Sequence, residues 1–166
     1  IVANVVFQHG ISWDSACELT DQLMVSEMTA GPRPEELIPR GNIKQSLCRL
    51  YDAGFALTVA TTDNRLATQS ALDALQIDHF FSDIRCGDDV GPVKPDVAVL
   101  ESIALSQQCR VDQIVMVGDT VSDLMMAKNA GAKCCVGILG GAGSEDQLNA
   151  LADFLIEDIG EIQPDV

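Results

Sequence analysis

A chain of 166 residues can form one domain with a proper hydrophobic core, or one domain and part of a second. Hydrophobic residues at 47% and charged ones at 21% give the balance of an ordinary soluble protein, and no apolar run approaches the roughly 20 residues that cross a bilayer. The formal net charge of −15 argues against nucleic acid and anionic membrane as partners; if the ligand is a phosphate ester, local cations must neutralise its site.

The first forty residues stand apart from the rest. Residues 12–28 have the spacing of an amphipathic helix, with Ser12 or Asp14 as its cap and Ala16, Leu19, Leu23 and Met24 on one face. Gly31-Pro32-Arg33-Pro34 then breaks the chain, so a boundary is expected there, with residues 1–34 as one unit and 35–166 as the core. From Asn42 a helix is predicted through Ile43, Leu47, Leu50 and Tyr51, ending at Gly54. Residues 55–60 read as a strand ending in the polar cluster Thr61-Thr62-Asp63-Asn64, and a second helix runs through Leu66, Leu72 and Leu75. A short strand over 82–86 leads into a Gly/Pro loop, and residues 96–107 read as a helix carrying Val97, Leu100, Ile103 and Ala104 on one side. Strand 114–117, helix 122–130, strand 133–137, helix 145–151 and strand 154–156 complete the series. Strands and helices alternating in this way predict an α/β fold built on a parallel, doubly wound sheet.

Six cysteines are present, without a CxxC pair or a histidine at zinc-finger spacing from them. Cys134 and Cys135 sit side by side in an apolar run and read as core filling. No leader-like pattern opens the chain, and free thiols suit a reducing compartment, so a cytoplasmic protein is expected.

In a doubly wound sheet ligands sit beyond the carboxyl ends of the strands, so the residues to weigh follow each apolar run. After 55–60 come Thr61 and Thr62; after 114–117 come Gly118, Asp119, Thr120 and then Asp123; the loop between them carries Lys94. Two carboxylates four residues apart across a strand-to-helix turn can hold Mg²⁺, which takes oxygen ligands and keeps several waters. The lysine offers a point charge to a phosphoryl oxygen, and the threonine a hydroxyl. Phosphoryl transfer consists largely of positioning and neutralising charge, so these are the parts it needs. Taken singly, each has a plainer reading: Asp119 as a helix cap, Asp123 as a partner of the helix dipole, Lys94 as a solvated lysine and Thr61 as a turn residue.

Their order carries the case. Val115-Met116-Val117-Gly118-Asp119-Thr120-Val121-Ser122-Asp123-Leu124 and the text up to Ala132 resemble the fourth motif of the haloacid dehalogenase-like hydrolases. Val93-Lys94-Pro95-Asp96 resembles their third motif, and Thr58-Val59-Ala60-Thr61-Thr62-Asp63-Asn64 their second. Pro39-Arg40-Gly41 and residues 137–144 also fit the family, and the text after Thr61 together with residues 137–144 looks closest to its phosphoglycolate phosphatase-like branch. The resemblance implies that Asp119 binds Mg²⁺ directly, and that Asp123 binds it directly or through water while contacting Lys94. It implies further that Lys94, Thr61 and the backbone of Thr62 hold the phosphoryl group of a small phosphorylated metabolite. An Asp carboxylate of the family's first motif would attack phosphorus to give an aspartyl-phosphate that water hydrolyses.

That first motif, a strand ending in Asp-x-Asp, does not occur before Thr61. The nearest text, Val5-Val6-Phe7-Gln8-His9-Gly10, has Gln8 and His9 where carboxylates belong. Two expectations follow. In one, residues 1–30 are the trailing helices of a cap domain, the nucleophile lies upstream and the isolated chain is inactive. In the other, residues 1–7 are a degenerate central strand, and the protein is a binding or scaffolding relative without turnover.

Overall fold

The computed structural model describes residues 37–164. The predicted helix over 12–28, the unit 1–34 and both readings of residues 1–7 lie outside the described residues.

Helix α1 (Ile43–Asp52) starts where the Asn42 side chain accepts the Gln45 N–H. Strand β1 (Leu57–Ala60) is shorter than predicted: Phe55 is half exposed and precedes the ladder. Helix α2 (Arg65–Leu75) is capped by Asn64 and leads through a 3₁₀ turn to β2 (Phe81–Arg85). Helix α3 (Ala98–Ser106) then precedes β3 (Val115–Gly118), α4 (Val121–Ala130), β4 (Cys134–Ile138), α5 (Glu145–Asn149) and β5 (Phe154–Ile156). Gly131 ends α4 in the left-handed conformation, at φ +77°, that a side chain resists.

Both ladders are parallel, as the alternation of elements requires. They form two sheets among the described residues, β1–β2 and β3–β4–β5. Ala60 pairs with Arg85, and Gly118 with Gly137, so the carboxyl ends of the strands within each sheet are level.

One cluster, formed by Val99, Leu100, Ile103, Leu124, Met126, Cys135 and Leu148, packs α3, α4 and α5 against the larger sheet. Ala60 of β1 packs against the same cluster. A second cluster, Leu47, Leu72, Ile77 and Phe80, holds α1 and α2 on β1 and β2. Arg49 of α1 donates to the carbonyls of Gly160 and Ile162 at 3.0 Å each, tying this side to the turn after β5. The five described cysteines are free thiols, and burial pushes that of Cys135 up, which suits core filling. No described helix is long and apolar enough to cross a membrane.

Candidate active site

The ends of β1 and β3 meet through one side chain. Lys94 Nζ donates to the Ala60 carbonyl at 2.8 Å and to Asp123 Oδ1 at 2.7 Å. The Lys94 side chain is 10% exposed and that of Asp123 is 5% exposed, so this is a buried ion pair and not a solvated lysine. The loop between β2 and α3 thereby reaches across to the first turn of α4.

Asp123 is the third residue of α4, and both its oxygens have donors. Oδ2 accepts the Thr120 N–H at 3.2 Å and the Thr120 hydroxyl at 2.8 Å, while Thr120 Oγ1 accepts the Asp123 N–H. The helix cap is therefore Thr120, and Asp119 is released from the capping role that its position after a strand suggests. Thr120→Ala should cost about 1–2 kcal/mol of stability, by urea denaturation, with Thr120→Ser restoring most of it.

Asp119 Oδ2 accepts the Ala142 N–H at 2.9 Å, and no described protein group donates to Oδ1. Gly141 leaves the carboxylate its room, since a Cβ there would lie 2.2 Å from Oδ2. The loop after β4 thus closes on the loop after β3. Among the described residues no three His, Cys, Asp or Glu side chains converge as a metal cage. An open carboxylate oxygen beside a second carboxylate suits Mg²⁺, which completes its shell with water and substrate oxygens, better than it suits zinc.

Thr61 lies at the end of β1 with its N–H bonded to the Arg85 carbonyl at 2.9 Å. Its hydroxyl donates to Asp63 Oδ2 at 3.0 Å and accepts the Asp63 N–H, the plain turn role. Thr62 is exposed, and its carbonyl is approached closely by Gly87, where a Cβ would lie 2.1 Å from it. Gly87 N–H also donates to the Asp63 carbonyl at 2.8 Å, bracing the turn from the loop after β2. That loop is fixed in turn by Asp89, whose carboxyl the neighbouring Arg65 guanidinium holds below the usual range.

Of the five expected residues, Thr61, Thr62, Lys94 and Asp119 lie on loops that follow strands, and Asp123 in the first turn of α4. Lys94, Asp123 and the end of β1 are in direct contact, and Asp119 is four residues from Asp123 on the same turn. The sequence alone assigned no role to Thr120, Asp63 or the glycines 118, 87 and 141. The signal for the glycines was their place beside carboxylates or tight turns, which only the folded loops bring together. It also passed over Arg40 except as family text. Arg40 lines a cavity of about 380 Å³ with Ile38, Val117, Asp119, Ile138 and Gly141.

The model of the haloacid dehalogenase-like hydrolase family matches residues 14–136. A phosphoglycolate phosphatase of Vibrio cholerae is 36% identical over 121 residues, covering 73% of this chain and 54% of that protein. The pyrophosphatase PpaX of Halalkalibacterium halodurans is 33% identical over 98 residues, covering 59% and 46%. The crystal structure of a predicted phosphoglycolate phosphatase from Haemophilus somnus superposes with a TM-score of 0.66 at 29% identity, over 71% of this chain and 52% of that one. The chain thus spans about half the length of the curated relatives it matches. With its parallel α/β core and a family match running from before α1 into β4, the chain belongs to the haloacid dehalogenase-like hydrolases.

Proposed function

We propose that residues 35–166 form the phosphate- and metal-binding part of a phosphatase for small phosphate monoesters, with Mg²⁺ at Asp119 and Asp123. The observation that carries this reading is the buried Lys94–Asp123 pair set beside the half-open carboxylate of Asp119 at the strand ends. Relatives named for phosphoglycolate and pyrophosphate hydrolysis support a small phosphorylated substrate. Bound at this site, Mg²⁺ supplies neutralisation of charge on the phosphoryl oxygens.

The chain's own residues do the positioning. Lys94 holds Asp123 in place and offers its remaining proton to a phosphoryl oxygen. Thr61 turns its hydroxyl from Asp63 to the same group, and the Thr62 N–H adds a second donor. Free thiols at the described cysteines support a cytoplasmic setting.

Attack on phosphorus needs a carboxylate nucleophile, and none in Asp-x-Asp form precedes Thr61. In this reading the nucleophile comes from another segment of polypeptide, and the 166 residues alone bind without turnover. The same observation favours a second reading, a phosphate- and Mg²⁺-binding protein that does not hydrolyse. One pair of measurements separates them. Inorganic phosphate titrated into the chain by calorimetry should bind only with Mg²⁺ present and lose that binding in Asp119→Asn. Mg²⁺-dependent phosphate release from a panel of monoesters, once an Asp-x-Asp strand peptide is added, supports the phosphatase. Binding without release in every combination supports the second reading, and phosphate binding indifferent to Mg²⁺ sinks both.

A further inference from the structure

The turn that carries Thr61 and Thr62 is braced by the end of β2 and the loop that follows it. Thr61 N–H is bonded to the Arg85 carbonyl at 2.9 Å, and Gly87 N–H donates to the Asp63 carbonyl at 2.8 Å. Gly87 also lies against the Thr62 backbone, where a Cβ would come within 2.1 Å of the carbonyl oxygen. The Thr62 N–H itself has no acceptor among the described residues. Its aim, and that of the Thr61 hydroxyl, therefore depends on where residues 86–89 stand.

One ion pair fixes those residues. Arg65, the first residue of α2, donates from Nε to Asp89 Oδ1 at 3.0 Å and from Nη2 to Asp89 Oδ2 at 2.6 Å. The same Nη2 donates to the Ile84 carbonyl at 2.8 Å. Asp89 Oδ2 also accepts the Cys86 N–H at 2.8 Å, and Asp88 Oδ1 accepts the Arg65 N–H at 2.8 Å. A single arginine thus ties the start of α2, just beyond the Thr61–Thr62 turn, to both ends of segment 84–89. The Arg65 side chain is 48% exposed and that of Asp89 31%, and a pair so open to water adds little to stability. What the bidentate fork adds is orientation.

We infer that Arg65 is a positioning residue of the phosphate site: paired with Asp89, it holds Gly87 against the Thr62 backbone and so sets the Thr61 hydroxyl and the Thr62 N–H for the phosphoryl group, without touching the phosphate itself. This rests on the reading of the site given above. Asp119 and Asp123 follow β3, in the other sheet, and among the described residues their carboxylates take hydrogen bonds from Ala142, Thr120 and Lys94, not from Arg65. The two halves of the site are set by separate networks and can be perturbed one at a time.

Calorimetry with two probes tests this, Mg²⁺ alone and inorganic phosphate at saturating Mg²⁺, on the unaltered chain, Arg65→Met, Asp89→Ala, the double variant and Arg65→Lys. Each of Arg65→Met and Asp89→Ala should bind phosphate about tenfold more weakly, the order of one hydrogen bond to a charged group, with Mg²⁺ affinity unchanged. The double variant should be no weaker than either single one, because the same contact is lost in all three. Arg65→Lys, which keeps the charge without the fork, should restore only part of the loss. The sign at Asp89 is diagnostic: removing a negative charge near an anion site tightens binding by Coulomb's law alone, so a weakening reads geometry. Tighter phosphate binding by Asp89→Ala overturns the inference and makes Arg65 an electrostatic partner of the anion. Unchanged phosphate affinity in both single variants overturns it and leaves the phosphate site intact. A matching loss of Mg²⁺ affinity makes the pair a general support of the core and also overturns it. Failure of the unaltered chain to bind phosphate with Mg²⁺ overturns the underlying reading of the site.

Discussion

Replacing Lys94 with methionine is expected to lower stability by about 3–5 kcal/mol, the cost of leaving a buried carboxylate without its partner. The Asp123 side chain is 5% exposed, so water cannot take over the role of the ammonium. The substitution also strips a donor from the Ala60 carbonyl, at the point where β1 approaches the support of the larger sheet. Methionine matches the lysine stem in length, so the loss reads charge and hydrogen bonding more than volume. The double variant Lys94→Met/Asp123→Leu removes both charges and should recover most of the loss. A deficit of about 1 kcal/mol should remain, because Thr120 then lacks the acceptor that completes its capping box. Urea denaturation of the four proteins gives the coupling directly. A single variant within 0.5 kcal/mol of the parent would show that the pair is solvated and that the two sheets are held together elsewhere.

This result bears on how a binding experiment at Lys94 is to be understood. Lys94 is both a proposed phosphate donor and a brace between β1 and α4. Loss of phosphate affinity in Lys94→Met thus carries no weight unless the stability loss is measured with it. Asp119 is the cleaner probe, because its side chain makes one protein hydrogen bond among the described residues and stands on a turn capped by its neighbour.

Much of this arrangement was legible in the residues, for identifiable reasons. The elements from α1 to β5 follow from hydrophobic period and from caps such as Asn42, Asn64 and Ser144, which are local properties. Ends of strands were less legible: Phe55 has strand composition but lies outside the ladder with half its surface in water. Lys94 could be placed near the site by order along the chain, yet its burial and its bond to Ala60 depend on a loop crossing between sheets. Asp119 and Thr120 are equally plausible caps by type, and only the geometry of the turn assigns the cap to Thr120 and frees the carboxylate. Arg40 was the hardest to read. It was noted only as part of Pro39-Arg40-Gly41, and its contacts are with Leu139 and Gly140, some hundred residues later.

The second large effect is expected at Gly118, the last residue of β3. A Cβ there would lie 2.5 Å from the Cβ of Asp123 and 2.6 Å from its Oδ2. Side chains can usually rotate away from such a conflict. Here they cannot, because the closest atom is a Cβ, which rotation about χ1 does not move, and the carboxylate beyond it is pinned by Lys94 and Thr120. Relief therefore requires the first turn of α4 to withdraw from the end of β3. Gly118→Ala should cost about 3 kcal/mol, the upper end of ordinary overpacking. The diagnostic is the Lys94–Asp123 coupling, measured by the same double-mutant cycle in the Gly118→Ala background. If α4 withdraws, the coupling falls along with stability. If stability falls while the coupling is unchanged, the strain is absorbed within β3, and the close approach of strand and helix at this glycine is not what sets the carboxylate in place.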